Sequence, residues 1–173
     1  METLFEVLKY TLPSLVVFAT SYLIIKTFIE NDQKKRKMEL RMANLKTITP
    51  VKLQAYERLT IFLERIAPES IIIRIMEPNM TSAQLQSSLL KVIRAEFEHN
   101  VSQQVYVSSQ AWSVIKTSKE QTIKLINTSI DKVDRDSPAI NLSRTILETV
   151  ISMKSAPNQA AIDFLKGEIQ QIF

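Results

Sequence analysis

The chain has 173 residues, with 22 basic and 18 acidic side chains, no cysteine and a single glycine, Gly167. Lacking cysteine, it has no disulfide framework and no thiolate metal site. With one glycine, tight hairpins, phosphate-cradling loops and dinucleotide-binding turns lose the residue on which their positive φ angles depend; helices tolerate that shortage best.

Tyr10 to Ile25 carry no charge. A spanning helix needs roughly 20 apolar residues to cross a hydrocarbon core of about 30 Å. Extension through Lys26 to Ile29 supplies the missing length, because a lysine near a helix end can snorkel to the headgroups. Tyr10 and Tyr22 are residues favoured at membrane interfaces. Two other readings compete. A cleaved signal peptide would want a positive N-region, but Glu2 and Glu6 stand there against Lys9, and no clear cleavage site follows. A buried core helix would leave Leu15, Val16, Val17 and Phe18 apolar on every face.

Charge sets the expected orientation. Residues 1–33 carry two bases and four acids, residues 34–49 six bases and one acid, and residues 50–173 are nearly balanced. The basic pI thus belongs to the segment just after the apolar run. Basic residues stay on the cytoplasmic side, which predicts a short external N-terminus and a cytoplasmic C-terminal domain. Lys34, Lys35, Arg36, Lys37 and Arg41 are the residues expected to touch anionic headgroups, at roughly 1 kcal/mol per base near the surface. Nuclear-localisation or nucleic-acid binding is the alternative reading of Lys34 to Lys37.

No proline or glycine falls between Ser14 and Thr49, so the spanning helix is expected to continue as a stalk. Met38, Met42 and Leu45 give the stalk an apolar stripe. Thr49-Pro50 reads as N-cap and first residue of the next helix, with Leu53, Tyr56, Leu59, Phe62, Leu63 and Ile66 on its buried face. Pro68 to Met76 is ambiguous between a short helix and a brief strand, given Ile71, Ile72 and Ile73. Thr81 to Gln84 is a capping box opening a helix with Leu85, Leu89, Val92, Ile93 and Phe97 on one side and an end near Asn100. Residues 101–107 read as irregular or a short turn of helix, with 103–107 alternatively a strand pairing with 71–75. Ser108 or Ser109 caps a helix reaching about Val133, with Trp112, Ile115, Ile123, Ile126 and Ile130 as core candidates. Ser137-Pro138 starts the next helix, with Ile140, Leu142, Ile146, Leu147, Val150 and Ile151 apolar. Ser155 with Pro157 starts the last, with Ala161, Ile162, Leu165, Ile169 and Ile172. The predicted fold is all-α: an anchor over 1–30, a basic helical stalk over 31–48, and a compact bundle of about five helices over 49–173.

Chemistry is sparse. Glu96 and His99 form an E-x-x-H pair, but a paired-iron bundle needs that motif twice, and His99 is the single histidine. A histidine near a helix C-terminus, where positive charge is favoured, is the plainer reading. Asp131, Asp134 and Asp136 lack the spacing and glycine of a calcium loop. The chain holds no P-loop, nucleophile elbow or kinase signature. The near-neutral domain gives no electrostatic basis for nucleic-acid binding. The expectation is a non-enzyme with no cofactor and no metal. The most unusual stretch, Phe97 to Tyr106, sets His99, Asn100, Gln103, Gln104 and Tyr106 between two long helices, just before Trp112. These side chains either satisfy the two helix ends or face a protein partner, and Trp112 is either a core anchor or a hot spot.

The runs LQAYERLTIFLERIAPESIIIRI (Leu53 to Ile75), EFEHNVSQQVYVS (Glu96 to Ser108), Ala111-Trp112 and KLINTS (Lys124 to Ser129) together resemble a family of single-span helical proteins of the Bacteroidota with no assigned activity. The resemblance implies a Gram-negative inner membrane and carries over no catalytic residue. The leading expectation is a non-catalytic accessory or adaptor subunit of an inner-membrane complex. A membrane-surface or nucleic-acid tether and a metal-dependent helical enzyme are the alternatives.

Overall fold

A computed structural model describes residues 2–153 and 155–172 of the chain. Among them are six α-helices and one 3-10 turn: α1 (Glu2–Arg65), α2 (Pro68–Ile75), α3 (Ser82–Asn100), the 3-10 turn Val101–Val105, α4 (Ser109–Ile130), α5 (Ala139–Ser152) and α6 (Pro157–Ile172). No strand forms among the described residues, so the all-α expectation holds: residues 71–75 belong to α2, and 103–105 to the 3-10 turn that ends before Tyr106. Phe173 and the side chain of Ile172, placed at the end of the predicted bundle, lie outside the described residues.

The chain divides into two compact units, Met1–Thr49 and Pro50–Phe173. The first is helical, and its apolar side chains are uncovered: Leu15, Phe18, Leu23, Ile24 and Phe28 are each more than 60 % exposed. Several of its hydroxyls bond back to their own helix. Ser14 Oγ donates to Thr11 O at 2.7 Å, Thr20 Oγ1 to Val16 O at 3.0 Å, and Thr27 Oγ1 to Leu23 O at 2.8 Å. That arrangement suits an apolar solvent, where an unmet donor costs several kcal/mol.

The second unit holds the core. Along residues 55–66, Ala55, Tyr56, Leu59, Phe62, Leu63 and Ile66 are buried at helical spacing. They join Ile71 and Ile72 of α2, Leu85, Leu89 and Ile93 of α3, Ile115, Ile126 and Ile130 of α4, Leu142 and Ile146 of α5, and Ile162 and Leu165 of α6. Leu53, predicted on the buried face, is instead 46 % exposed, as it sits just before that face begins. α2 is a helix despite three successive isoleucines. Pro68 occupies its start, Ile71 N donates to Ala67 O, and the 3.6-residue turn buries Ile71 and Ile72 while leaving Ile73 82 % exposed.

Two helix starts are tied to each other. Thr81 Oγ1 accepts from Gln84 N at 3.2 Å and Gln84 Oε1 accepts from Thr81 N at 3.0 Å, closing the predicted capping box. Two further N–H groups at the head of α3 find carbonyls in the loop before α5: Ser82 N donates to Ser137 O at 2.8 Å and Ala83 N to Arg135 O at 3.0 Å. Ala139 N, at the head of α5, donates to Met80 O at 2.9 Å. The loop before Thr81 turns through Asn79 at φ 67°, a left-handed conformation that asparagine accepts better than most residues. Ser108 caps α4, its Oγ accepting from Ala111 N at 2.9 Å.

Three predicted boundaries move. No new helix starts at Thr49-Pro50, because α1 runs unbroken through Pro50. A proline forfeits one helical hydrogen bond, but its fixed φ is itself helical. α4 ends at Ile130 rather than near Val133, where residues 131–138 turn back to supply the carbonyls just described. α5 begins at Ala139, with Pro138 as its cap residue.

Candidate functional site

Arg58, Ile61, Phe62 and Arg65 recur at i, i+3, i+4 and i+7, so one face of α1 presents them together. Glu96, His99 and Asn100 do the same at the end of α3. The two faces enclose a cavity of about 170 Å³ lined by those seven residues. Glu96 is held in place by arginines. Its Oε1 accepts from Arg65 Nη2 at 2.6 Å and Arg65 Nε at 2.8 Å. Arg74 Nη2 of α2 stands 3.7 Å from the same oxygen and donates to Arg65 O at 3.3 Å, satisfying a carbonyl at the end of α1. Glu96 is only 17 % exposed, whereas the Arg65 side chain is 50 % exposed. Arg58 and His99 are exposed and have no ion pair among the described residues.

Phe62, which lines the cavity, belongs also to a cluster of rings. Phe97 meets Phe62 at 5.9 Å between centroids and Trp112 at 5.4 Å, and Lys119 Nζ sits 4.1 Å from the Phe97 ring. Phe97 thus bridges α1, α3 and α4, with a cation over its electron-rich face.

The six predicted contact residues separate. Asn100 and Gln103 are buried. Asn100 Nδ2 donates to Glu96 O at 2.8 Å, and Gln103 Nε2 approaches Ser102 Oγ at 3.4 Å. Trp112 is half-buried in the ring stack. His99, Gln104 and Tyr106 are exposed, beside Val101 and Val105, which is 77 % exposed. The basic run is exposed throughout: Arg36 Nε donates to Asp32 Oδ2 at 2.8 Å, while Lys34, Lys35, Lys37 and Arg41 have no ion pair among the described residues.

Elsewhere in the second unit, the Tyr56 phenol is pushed above its ordinary value, first by burial and then by the charge of Glu168, to whose carboxylate it donates; a backbone bond from Ser108 works the other way. Glu168 Oε2 is buried with no hydrogen-bond partner among the described residues. A second, larger hollow of about 590 Å³ lies at the tied helix starts, lined by Met76, Met80, Pro138 and Ile140 with Glu77 and Asp136 among its residues. No three His, Cys, Asp or Glu side chains gather into a metal-binding group among the described residues. Glu96, the carboxylate of the E-x-x-H pair, is taken by Arg65 and Arg74.

Sequence reasoning overlooked Arg58, Arg65 and Arg74. The signal available was the i, i+7 spacing of Arg58 and Arg65, which puts two guanidinium groups on one face.

Among the described residues, one helix is long and apolar enough to cross a membrane, by length and composition. A family model described as a family of unknown function (DUF7935) matches residues 2–172. No curated protein and no solved structure matches the chain.

Proposed function

The chain belongs to DUF7935, a family of unknown function whose match takes in the apolar helix and the helical domain alike, and we propose that it acts as a non-catalytic, membrane-anchored accessory subunit. In this reading residues 10–29 span a bacterial inner membrane, the N-terminus lies outside, and the cytoplasmic helical domain binds a protein partner within a larger membrane complex. One observation carries the proposal. The longest apolar run is wholly uncovered by the chain's own residues, the hydroxyls of Ser14, Thr20 and Thr27 bond to their own helix, and exposed bases follow it. A core helix would bury that run. The positive-inside rule supports the orientation.

For the contact surface, support comes from the exposed set His99, Gln104 and Tyr106 beside Val101 and Val105: aromatic and apolar side chains with amide groups, a mixture enriched at interfaces. A photocrosslinking residue placed at Gln104 or Tyr106 in native membranes should give a discrete heavier adduct containing a second protein. Adducts with lipid and with the chain itself alone would defeat the proposal.

A second reading has its own observation. Lys34, Lys35, Lys37 and Arg41 are free of ion pairs among the described residues, as a lipid- or nucleic-acid-contacting run would be. If tethering through these bases is the function, changing Lys34, Lys35, Arg36 and Lys37 to Gln abolishes it while insertion survives. Full function in that variant would dismiss the second reading.

A further inference from the structure

We propose that the cavity between α1 and α3 is a binding site for a phosphate dianion, whether free or at the end of a monoester. The argument starts from charge. Arg58, Arg65 and Arg74 bring three positive charges to this corner and Glu96 brings one negative, leaving an excess of two before His99 is counted. Glu96 is already satisfied by Arg65 and Arg74, so the excess meets the cavity through Arg58 and the N–H groups of Arg65 that Glu96 does not take, while Arg74 adds its charge from outside the lining. Guanidinium groups are always charged and offer forked donors that match phosphate oxygens. A carboxylate monoanion would repeat what Glu96 supplies and leave one charge unmet, whereas a dianion balances the corner.

Size agrees. At about 170 Å³, the cavity is smaller than the roughly 300 Å³ at which pockets begin to enclose drug-sized ligands. A tetrahedral oxyanion is small enough for it. The floor is fixed: Phe62 is buried and in tilted ring contact with Phe97, and Asn100 is buried and bonded to Glu96 O. The backbones that carry Arg58 and Arg65 are therefore set on packed helices, Arg65 is held further by Glu96, and the exposed Arg58 side chain is the one to be ordered on binding.

Two sources share this chemistry, a soluble phosphate and a phosphomonoester lipid headgroup. His99, the chain's one histidine, lines the cavity and reports on both by its ring resonances. The full chain in phosphatidylcholine nanodiscs is titrated with inorganic phosphate at constant ionic strength, and a second sample uses nanodiscs containing phosphatidic acid without added phosphate. Saturable shifts of His99 with inorganic phosphate support the soluble source, and shifts in the phosphatidic acid discs alone support the headgroup. In either case Arg58→Gln should weaken the response about tenfold or more, one charge-assisted bond being lost, and Arg58→Lys should restore part of it. Arg58 is exposed and unpaired, so these variants keep the fold. Shifts absent from both samples, matched by chloride, or unchanged in Arg58→Gln would overturn the proposal.

Discussion

Replacing Glu96 with Gln isolates the charge at the centre of the α1–α2–α3 corner. The amide oxygen can still accept from Arg65, so what disappears is the ionic part of the contact. A hydrogen bond to a charged group is worth about 1.5–3 kcal/mol and a neutral one about 0.5–1.5, a difference of about 1 kcal/mol for Arg65. Arg74, at 3.7 Å and about one-third exposed, adds a few tenths of a kcal/mol at most, as partly screened pairs do. The expected loss is about 1–1.5 kcal/mol, well short of the roughly 3–5 kcal/mol for breaking a fully buried pair, because the Arg65 side chain is 50 % exposed. For a unit of about 120 residues this lowers Tm by about 4–6 °C. The assay is a thermal melt of the full chain in mild detergent, followed by Trp112 fluorescence, at low and at high salt. The gap between wild type and variant should narrow in 1 M salt, where the Debye length falls to about 3 Å. An unchanged or raised Tm at low salt would refute the reasoning.

Three further outcomes are expected. Thr81→Ala removes one arm of the capping box and should cost about 1 kcal/mol in the same melt; no loss would mean that the ties from Ser82 and Ala83 to the 135–137 loop hold α3 alone. Phe97→Ala takes away both ring contacts and the Lys119 cation–π contact, so a loss of about 3 kcal/mol is expected, with Trp112 emission shifting to the red. Unmoved emission would contradict the stack. Tyr56 bears on alkaline stability. Its folded-state pKa is raised, so the folded chain holds the phenolic proton after the unfolded chain has begun to release it. Its contribution is complete below the unfolded value of about 10 and falls as pH rises beyond it. Tyr56→Phe should flatten that part of the alkaline unfolding curve, and an unaltered slope would remove Tyr56 from the cause.

Local signals were the legible ones. The Thr81–Gln84 capping box, the Ser108 cap and the apolar faces of α3 and α4 depend on residues within a turn or two of one another, so they can be read from spacing. The Thr49-Pro50 boundary misled because proline suits the first helical residue and is disfavoured inside a helix, yet α1 carries Pro50 within its length. The Ile71–Ile73 run was undecided because β-branching favours strands, while the neighbours that bury Ile71 and Ile72 are distant in sequence. Leu53 and Ile140 are apolar and exposed, a reminder that periodicity places residues on a face without covering the ends of that face. The Arg65–Glu96 contact spans 31 positions, and no local pattern marks which of 18 acids an arginine will find. Buried Ser118, Thr122, Ser129 and Ser143 were likewise invisible. Small hydroxyl residues enter helix–helix contacts because they fit, and Thr122 Oγ1 meets its need by donating to Ser118 O at 2.9 Å.

The membrane anchor and its direction can be tested in one experiment, because the chain has no cysteine. A single cysteine at the exposed position Ser152 is treated with a membrane-impermeant maleimide in intact spheroplasts, then again after detergent, and the membranes are washed at alkaline pH. The expected result is a chain that stays in the washed pellet and labels only once detergent has opened the membrane. Labelling from outside intact spheroplasts, or release into the wash, would contradict a single inward-facing anchor.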